Sequence, residues 1–503
     1  MEEHNSIIII GGGFAGLAAG IYGQLNGYNT KIFEMNDTPG GLCTSWKRKS
    51  FTIDGCIHWL AGSSPESGIN DLWKEVGIAQ GLQIVNMDEY MSFEDAQGRR
   101  LVFYTDIDKL EKSLLEFSPQ DSEVIHDFIE GVKMCLAFDF PSGNKTFLVR
   151  LGNVFKMALT YLLKGRRMKR WMNTSALDFA NMIKDPLLKE SFLKMWFPDF
   201  SMFFILFTLA YMHDKNAGYP IGGSSPMSEA MANRYVSLGG SLIYNSRVEK
   251  ILTENNRAVG VRLTDGNEFL AKRVISAADG YTTLFKMLDR QYGDENTYMP
   301  YEKWKIFPPL LYIGIGVDRT FPEVPESISG TFFELKEPVK IGGMEKRWLS
   351  YHIFNHDHTL APDGKTVIVV MMESDYEYWK ELSNDPDRYR SVKDEAGKKV
   401  LELLEIKFPG ISGSVEMIDV ATPVTFERYT GNWKGSFEGW LITPGNSNVL
   451  LKRMSQTVPG LRNFYMCGQW VEPGGGLPTA VMSGRRLFEF ICKEDRREFS
   501  AIT

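Results

Sequence analysis

Cysteine is sparse in this 503-residue chain: five residues, at 43, 56, 135, 467 and 492, form an odd set with no CxxC and no Cys/His metal-ligand spacing. That excludes a disulfide framework and fits a reducing compartment, so a cytoplasmic location is expected. Histidine is nearly as scarce, with seven. His352, His356 and His358 fall close together without a partner set elsewhere, so they are read as loop or surface residues and no metal is expected. The amino terminus, Met-Glu-Glu-His-Asn-Ser, lacks the positive flank of a secretory signal, so no cleavage is expected. Surplus positive charge is missing too: 56 Lys and Arg against 63 Asp and Glu give −7, which removes any global reason to expect nucleic acid. What remains, 43% hydrophobic and 24% charged residues, is a folded globular composition rather than a disordered, collagenous or coiled-coil one. The length corresponds to about three domain-sized units, which are free to interleave.

Residues 7–30 carry no charge, which is long enough for a membrane span, and Gly12, Gly16 and Gly20 have small-xxx-small spacing. Glycines at 11, 12 and 13 weaken such a helix, and Gln24, Asn26 and Asn29 are costly in lipid, so a span is not expected. The uncharged run from Phe200 to His213 is too short to cross and suits a buried helix or an interfacial segment.

The same region reads well as a nucleotide site. Ile7 to Ile10 has the pattern of a strand buried on both faces, and Gly11-Gly12-Gly13-Phe14-Ala15-Gly16 follows at once. In this G-x-G-x-x-G, Gly11 permits the tight turn, Gly13 lets a pyrophosphate approach the backbone, and Gly16 lets helix and strand pack closely. Leu17 to Leu25 continues as a helix, and Thr30 to Phe33 returns as a strand ending on Glu34. A carboxylate there accepts hydrogen bonds from ribose hydroxyls and repels a 2′-phosphate, so FAD or NAD is expected. No second fingerprint exists: Gly314-x-Gly316 is followed by Arg319 where the motif requires glycine.

Pro39-Gly40-Gly41-Leu42-Cys43-Thr44 and Phe51 to Trp59 resemble the start of the FAD-containing amine oxidase and phytoene desaturase superfamily. Tyr219 to Gly223, Gly239-Gly240 and Ser246 to Ile251 resemble its middle FAD segment, where the position of Val248 meets the adenine. Asp265-Gly266 reads as a hairpin turn, and Arg273 to Asp279 as a strand ending in small residues. Asn463 to Gln469 and Pro473 to Gly484 resemble the closing flavin segment of phytoene desaturases and carotenoid isomerases. Leu42 stands where the amine oxidase branch has an arginine, whereas Ala421 to Asn432, with Gly435-Ser436, resembles the desaturase, carotenoid isomerase and retinol saturase branch.

The resemblance implies an α/β fold with a Rossmann-like FAD-binding domain built from discontinuous segments, 1–90, 219–300 and 420–503. A helical insertion would occupy 91–218 and a substrate-binding α+β insertion 301–419. It implies non-covalent FAD held at Gly11, Gly13, Phe14, Ala15, Gly16, Glu34, Gly40, Gly41, Leu42, Val248, Gly468, Gln469 and Val481. The activity implied is desaturation, saturation or cis-trans isomerisation of a long isoprenoid or polyene, with the electron acceptor or donor open. A flavin oxidase of small amines, and a non-catalytic carrier of prenyl chains, are the competing classes. A lipophilic substrate offers few polar handles, so an acid or base near the flavin is the group to seek; Glu472 and His58 are the candidates. Between Asp139 and Asp178 there are eight basic residues and no acidic one, and Lys164 to Arg170 follows an apolar, helix-compatible stretch. This points to a membrane surface contacted through 147–170 and a peripheral location, not to nucleic acid. Trp196, Phe197, Phe200, Phe203, Phe204, Phe207 and Tyr211 supply aromatic bulk for a core or an apolar tunnel.

Overall fold

The computed structural model of the chain describes residues 5–79, 81–136, 165–327, 329–450 and 452–502. Strand β1, Ser6–Ile10, is buried on both faces because its isoleucines serve two layers. It runs through Gly11 to Gly13 into helix α1, Phe14–Leu25, and α1 returns to strand β2, Asn29–Phe33, parallel to β1 with Ile10 opposite Phe33. The parallel sheet has the order Ser241–Ile243, β2, β1, Arg273–Ser276, Phe464–Met466, so its strands come from the beginning, middle and end of the chain.

Ile7 and Ile9 face α1, while Ile8 and Ile10 face an antiparallel ribbon of Val248–Glu254, Arg257–Leu263 and Glu268–Leu270. The last two strands of that ribbon are joined at Asp265-Gly266, where Gly266 takes a φ of +88°. Small residues on α1 let two further helices close on it. A side chain at Gly20 would sit 2.7 Å from Tyr235 of the helix Ser224–Ser237, and one on Gly484 of the helix Gly476–Glu494 would sit 2.7 Å from Ala19 N. The small-residue spacing in the uncharged run is therefore used within the molecule, and among the described residues no helix is long and apolar enough to cross a membrane.

A seven-stranded mixed sheet has the order Val415–Ala421, Leu310–Val317, Thr366–Glu373, Met344–Ile353, Thr331–Ile341, Glu89–Glu94, Arg100–Tyr104. Its last two strands come from the border of a stretch expected to be helical. Gly314 and Gly316 lie under the hairpin Ser45–Arg48/Phe51–Asp54; a side chain at either would sit 2.6 Å from Ile53 or Phe51. This glycine pair serves sheet packing. The long helix Pro386–Lys407, capped by Asp385, which accepts from Arg388 N, buries Ala396, Val400 and Leu404 against the sheet. Such a cap contributes about 1 kcal/mol.

Helices Ile107–Phe117, Ser122–Cys135, Pro186–Met195 and Met202–His213 form the remaining body. The basic stretch 147–170 lies outside the described residues up to 164. Of its described part, Arg166, Lys169 and Arg170 are exposed, and Arg167 and Arg170 donate to Asp127. His352 and His356 require a correction. His352 lies at the end of the strand Met344–Ile353 and is 2% exposed, and His356 is mostly enclosed; only His358 is exposed. The sheet joins distant segments over His352, and no local pattern announces that.

Candidate functional site

The βαβ turn is held by its own acid. The N–H of Gly12 donates to Glu34 Oε2 at 2.7 Å, and Asn36 donates to Oε1 from its backbone at 2.9 Å and its amide at 3.0 Å. Burial raises the Glu34 carboxyl above its usual range, and these donors pull it back. Ser246 N donates to Glu34 O at 2.8 Å, which brings the buried Val248 close to the end of β2. Gly11 takes a φ of +97°, and Gly16 packs so closely that a methyl group there would overlap Gly11 O. Gly13 is different: its φ is −75°, and a methyl group would meet nothing nearer than Gly40 O at 3.7 Å.

Gly40 N donates to Gly12 O at 2.9 Å, and Gly13 and Gly40 form a parallel bridge, so the Gly40-Gly41-Leu42 turn lies against the loop. Gly40 and Gly41 both need positive φ, +113° and +63°. Asp54 fixes this layer. Its buried carboxylate accepts from Cys56 N at 3.0 Å, Ile57 N at 2.9 Å and Ser224 Oγ at 2.8 Å, and also from Ser224 N. His58 follows, with Nδ1 3.2 Å from Cys56 O and Nε2 without a partner among the described residues; burial lowers its pKa.

The carboxy-terminal segment closes over α1. Gly468, at φ +100°, faces Ala15 so closely that a methyl group on it would sit 3.3 Å from Ala15 Cβ, and its N–H donates to Ser483 Oγ at 2.8 Å. Gln469 lies against Gly439, and Val481 is fully buried. Glu472 is ion-paired with Arg486. Gly474, Gly475 and Gly476, the first residue of the last helix, all take positive φ, and Gly475 abuts Glu438. Sequence reasoning passed over Glu438. Its side chain is half-buried, and burial pushes its carboxyl up to about 7, against the pull of the Gly476 N–H. The only local signal was its place just after Gly435-Ser436.

Two side-chain groups border this region. His352 lies 5.8 Å from His58 and 5.7 Å from His356 between ring centroids and stacks on Phe354 at 4.1 Å. Among the described residues neither ring nitrogen of His352 or His356 has a hydrogen-bond partner, and burial lowers both pKa values, that of His356 to about 4. Among the described residues no group of His, Cys, Asp or Glu is placed to hold a metal ion. On the other side, Met202–His213 buries Met202, Ile205, Leu206 and Leu209 and turns half-buried Phe203, Phe204 and Phe207 the other way. The Phe204 ring comes within 3.8 Å of the methyl position on Gly474. Trp59, Trp196, Phe200 and Phe204 continue as a chain of ring contacts at 6.0, 4.9 and 5.1 Å.

The loop fits a bound dinucleotide. α1 and Gly476–Glu494 begin at Gly13 and Gly475 with no capping side chain of their own on their first amides, as does Ser224–Ser237 at Gly223. Buried amides at Phe14 and Ala15 need an acceptor, and the vacant methyl space at Gly13 gives an anion access to them.

The sequence model of the family described as flavin containing amine oxidoreductase matches residues 14–487. Prolycopene isomerase 1, chloroplastic, of an Oncidium hybrid cultivar is 28% identical over 526 residues, covering 96% of this chain and 83% of its own. The neurosporene-forming phytoene desaturase of Rhodobacter capsulatus is 24% identical over 527 residues, covering 97% and 94%. Among solved structures, putrescine oxidase bound to putrescine superposes with a TM-score of 0.61 at 14% identity, covering 97% of this chain and 99% of that one.

Proposed function

The chain belongs to the flavin containing amine oxidoreductase family and is an FAD-dependent oxidoreductase, and from that premise we propose that it acts on carbon-carbon bonds of a long isoprenoid or polyene. The reading is supported by the curated relatives, which are prolycopene isomerases and phytoene desaturases matched over nearly the whole chain. The observation that carries it is the ring of Phe204, which lies beside Gly474 of the closing segment and continues through Phe200, Trp196 and Trp59 as a run of apolar aromatic contacts with few polar handles.

Gly11, Gly13, Phe14, Ala15 and Gly16 are assigned to the pyrophosphate, Glu34 to the ribose and Val248 to the adenine side. Gly40, Gly41, Leu42, Gly468, Gln469 and Val481 are assigned to the rest of the cofactor. When bound, the flavin supplies two-electron chemistry at carbon. The chain orients the polyene, excludes water and handles a proton. Glu438 is the best placed to hold that proton, being half-buried, without a cationic partner among the described residues, and able to exchange it near neutral pH. Glu472 is engaged by Arg486, and His58, with Nε2 unpartnered among the described residues, stands as the second candidate.

The domain assignment follows: 1–90, 219–300 and 420–503 bind FAD, 301–419 contributes the substrate-facing sheet, and 91–218 approaches a membrane surface. Arg166 and Lys169 support the last point by remaining exposed beside the apolar stretch. The test is chromatography of products after incubating holo-protein with a cis-polyene and, separately, a hydrogenated isoprenoid in vesicles. Conversion of either is expected. Return of both unchanged, with oxidation of a polyamine instead, would overturn the proposal.

A further inference from the structure

Asn36 holds one oxygen of Glu34 twice, since its backbone N–H and its amide both donate to Oε1. The other oxygen, Oε2, meets the dinucleotide loop, where Gly12 N donates to it at 2.7 Å. A glutamate carboxylate turns freely about its last bond, and these donors, one set on each oxygen, fix that turn. The Asn36 amide also donates to Tyr429 O at 2.8 Å, in the helix Pro423–Thr430, so both of its N–H groups are committed within the protein. Its own carbonyl accepts from Asn245 N at 2.9 Å, beside the bond from Ser246 N to Glu34 O. One residue thereby joins the amino-terminal, middle and carboxy-terminal cofactor segments at the acid. Burial works against a charge on Glu34, and the Asn36 donors oppose that, which favours the form that accepts hydrogen bonds.

We propose that Asn36 is a positioning residue for the cofactor, which turns Glu34 toward the dinucleotide loop and so sets the selection of an adenosine ribose by its hydroxyls. The role rests on the assignment of Glu34 to the ribose. With its amide protons spent inside the protein, Asn36 acts through Glu34 and not on the ligand. A residue that only braced the fold would affect every flavin ligand alike. One that aims an acceptor affects only a ligand that offers it a hydroxyl, because a site built for that group discriminates against the analogue lacking it.

The test compares holo-protein loaded with FAD or with the FAD analogue whose adenosine lacks both ribose hydroxyls, and follows release of each on dilution by flavin fluorescence. Wild-type protein is expected to release the analogue at least roughly tenfold faster than FAD. Asn36→Ala is expected to speed FAD release about tenfold and to leave release of the analogue within about twofold, so that the preference closes. Asn36→Asp keeps the shape and loses the amide donors; the same closing is expected, and this variant decides if the alanine variant does not fold. Added to Glu34→Gln, either substitution is expected to change FAD release by less than about twofold, since both act through one carboxylate. A preference that survives both substitutions, or release of both ligands speeded alike, would overturn the proposal and leave Glu34 on the ribose. Wild-type protein that releases the two ligands equally fast would instead overturn the assignment of Glu34, and the role of Asn36 with it.

Discussion

Glu34 and Gly12, 22 residues apart, are bound through the 2.7 Å hydrogen bond from the Gly12 N–H to Oε2. The bond ties the end of β2 to the turn after β1 before any ligand arrives. One carboxylate thus shapes the loop, and under the proposed assignment its remaining lone pairs accept from ribose hydroxyls. Glu34→Ala removes the acceptor of three donors. A loss of about 1–3 kcal/mol in urea unfolding is expected, together with weaker FAD retention on gel filtration.

Gly13 and Gly16 separate ligand from packing. Gly13→Ala has room and an ordinary φ, so its stability is expected to stay within about 1 kcal/mol of the parent. FAD affinity is expected to fall at least roughly tenfold, about 1.4 kcal/mol. Gly16→Ala strikes Gly11 O and is expected to yield little folded protein. Melting curves with and without FAD check both.

Asp54 holds the hairpin, the segment before His58 and the helix Ser224–Ser237 together. Asp54→Ala strands buried donors, and a loss of about 3 kcal/mol or more is expected by denaturant titration.

The buried histidines set an acid limit. His352 and His356 have folded pKa values below their unfolded value, so the stability they contribute is complete above about pH 6.5 and is lost as pH falls toward about 4, the value for His356. On the order of 2 kcal/mol is expected to disappear across that window, and less in His356→Phe. Denaturation midpoints from pH 7 to pH 4 measure it.

Glu438 has the opposite sign. Its pKa is raised to about 7, so the stability tied to its protonated form is present at acid pH and lost as pH rises through 7. Glu438→Gln keeps the shape and cannot ionise. It is expected to remove the limb near pH 7 from the rate profile and lower kcat on the order of a hundredfold, read as initial rates across pH.

The dinucleotide half of the site was legible because its signal is local: four isoleucines, three placed glycines and an acid within 34 residues. Each glycine's role follows from a neighbour a few positions away, as with Gly16 against Gly11. Glu438 was not legible, because its meaning comes from Gly475, which the fold brings to it from a separate segment. The histidines were misread for the same reason. His352 alternates with Tyr351 and Ile353 along a strand like any surface-facing position, and only the sheet order puts it inside. Gly314 and Gly316 mimic half a fingerprint while answering to Phe51 and Ile53.

The most direct measurement is the visible spectrum of the purified protein under argon, before and after mixing with vesicles containing a hydrogenated isoprenoid or a cis-polyene. The account predicts a bound-flavin spectrum, followed by bleaching of that band or a shift in the polyene band. Protein that carries no flavin and takes up none on reconstitution with FAD would contradict it.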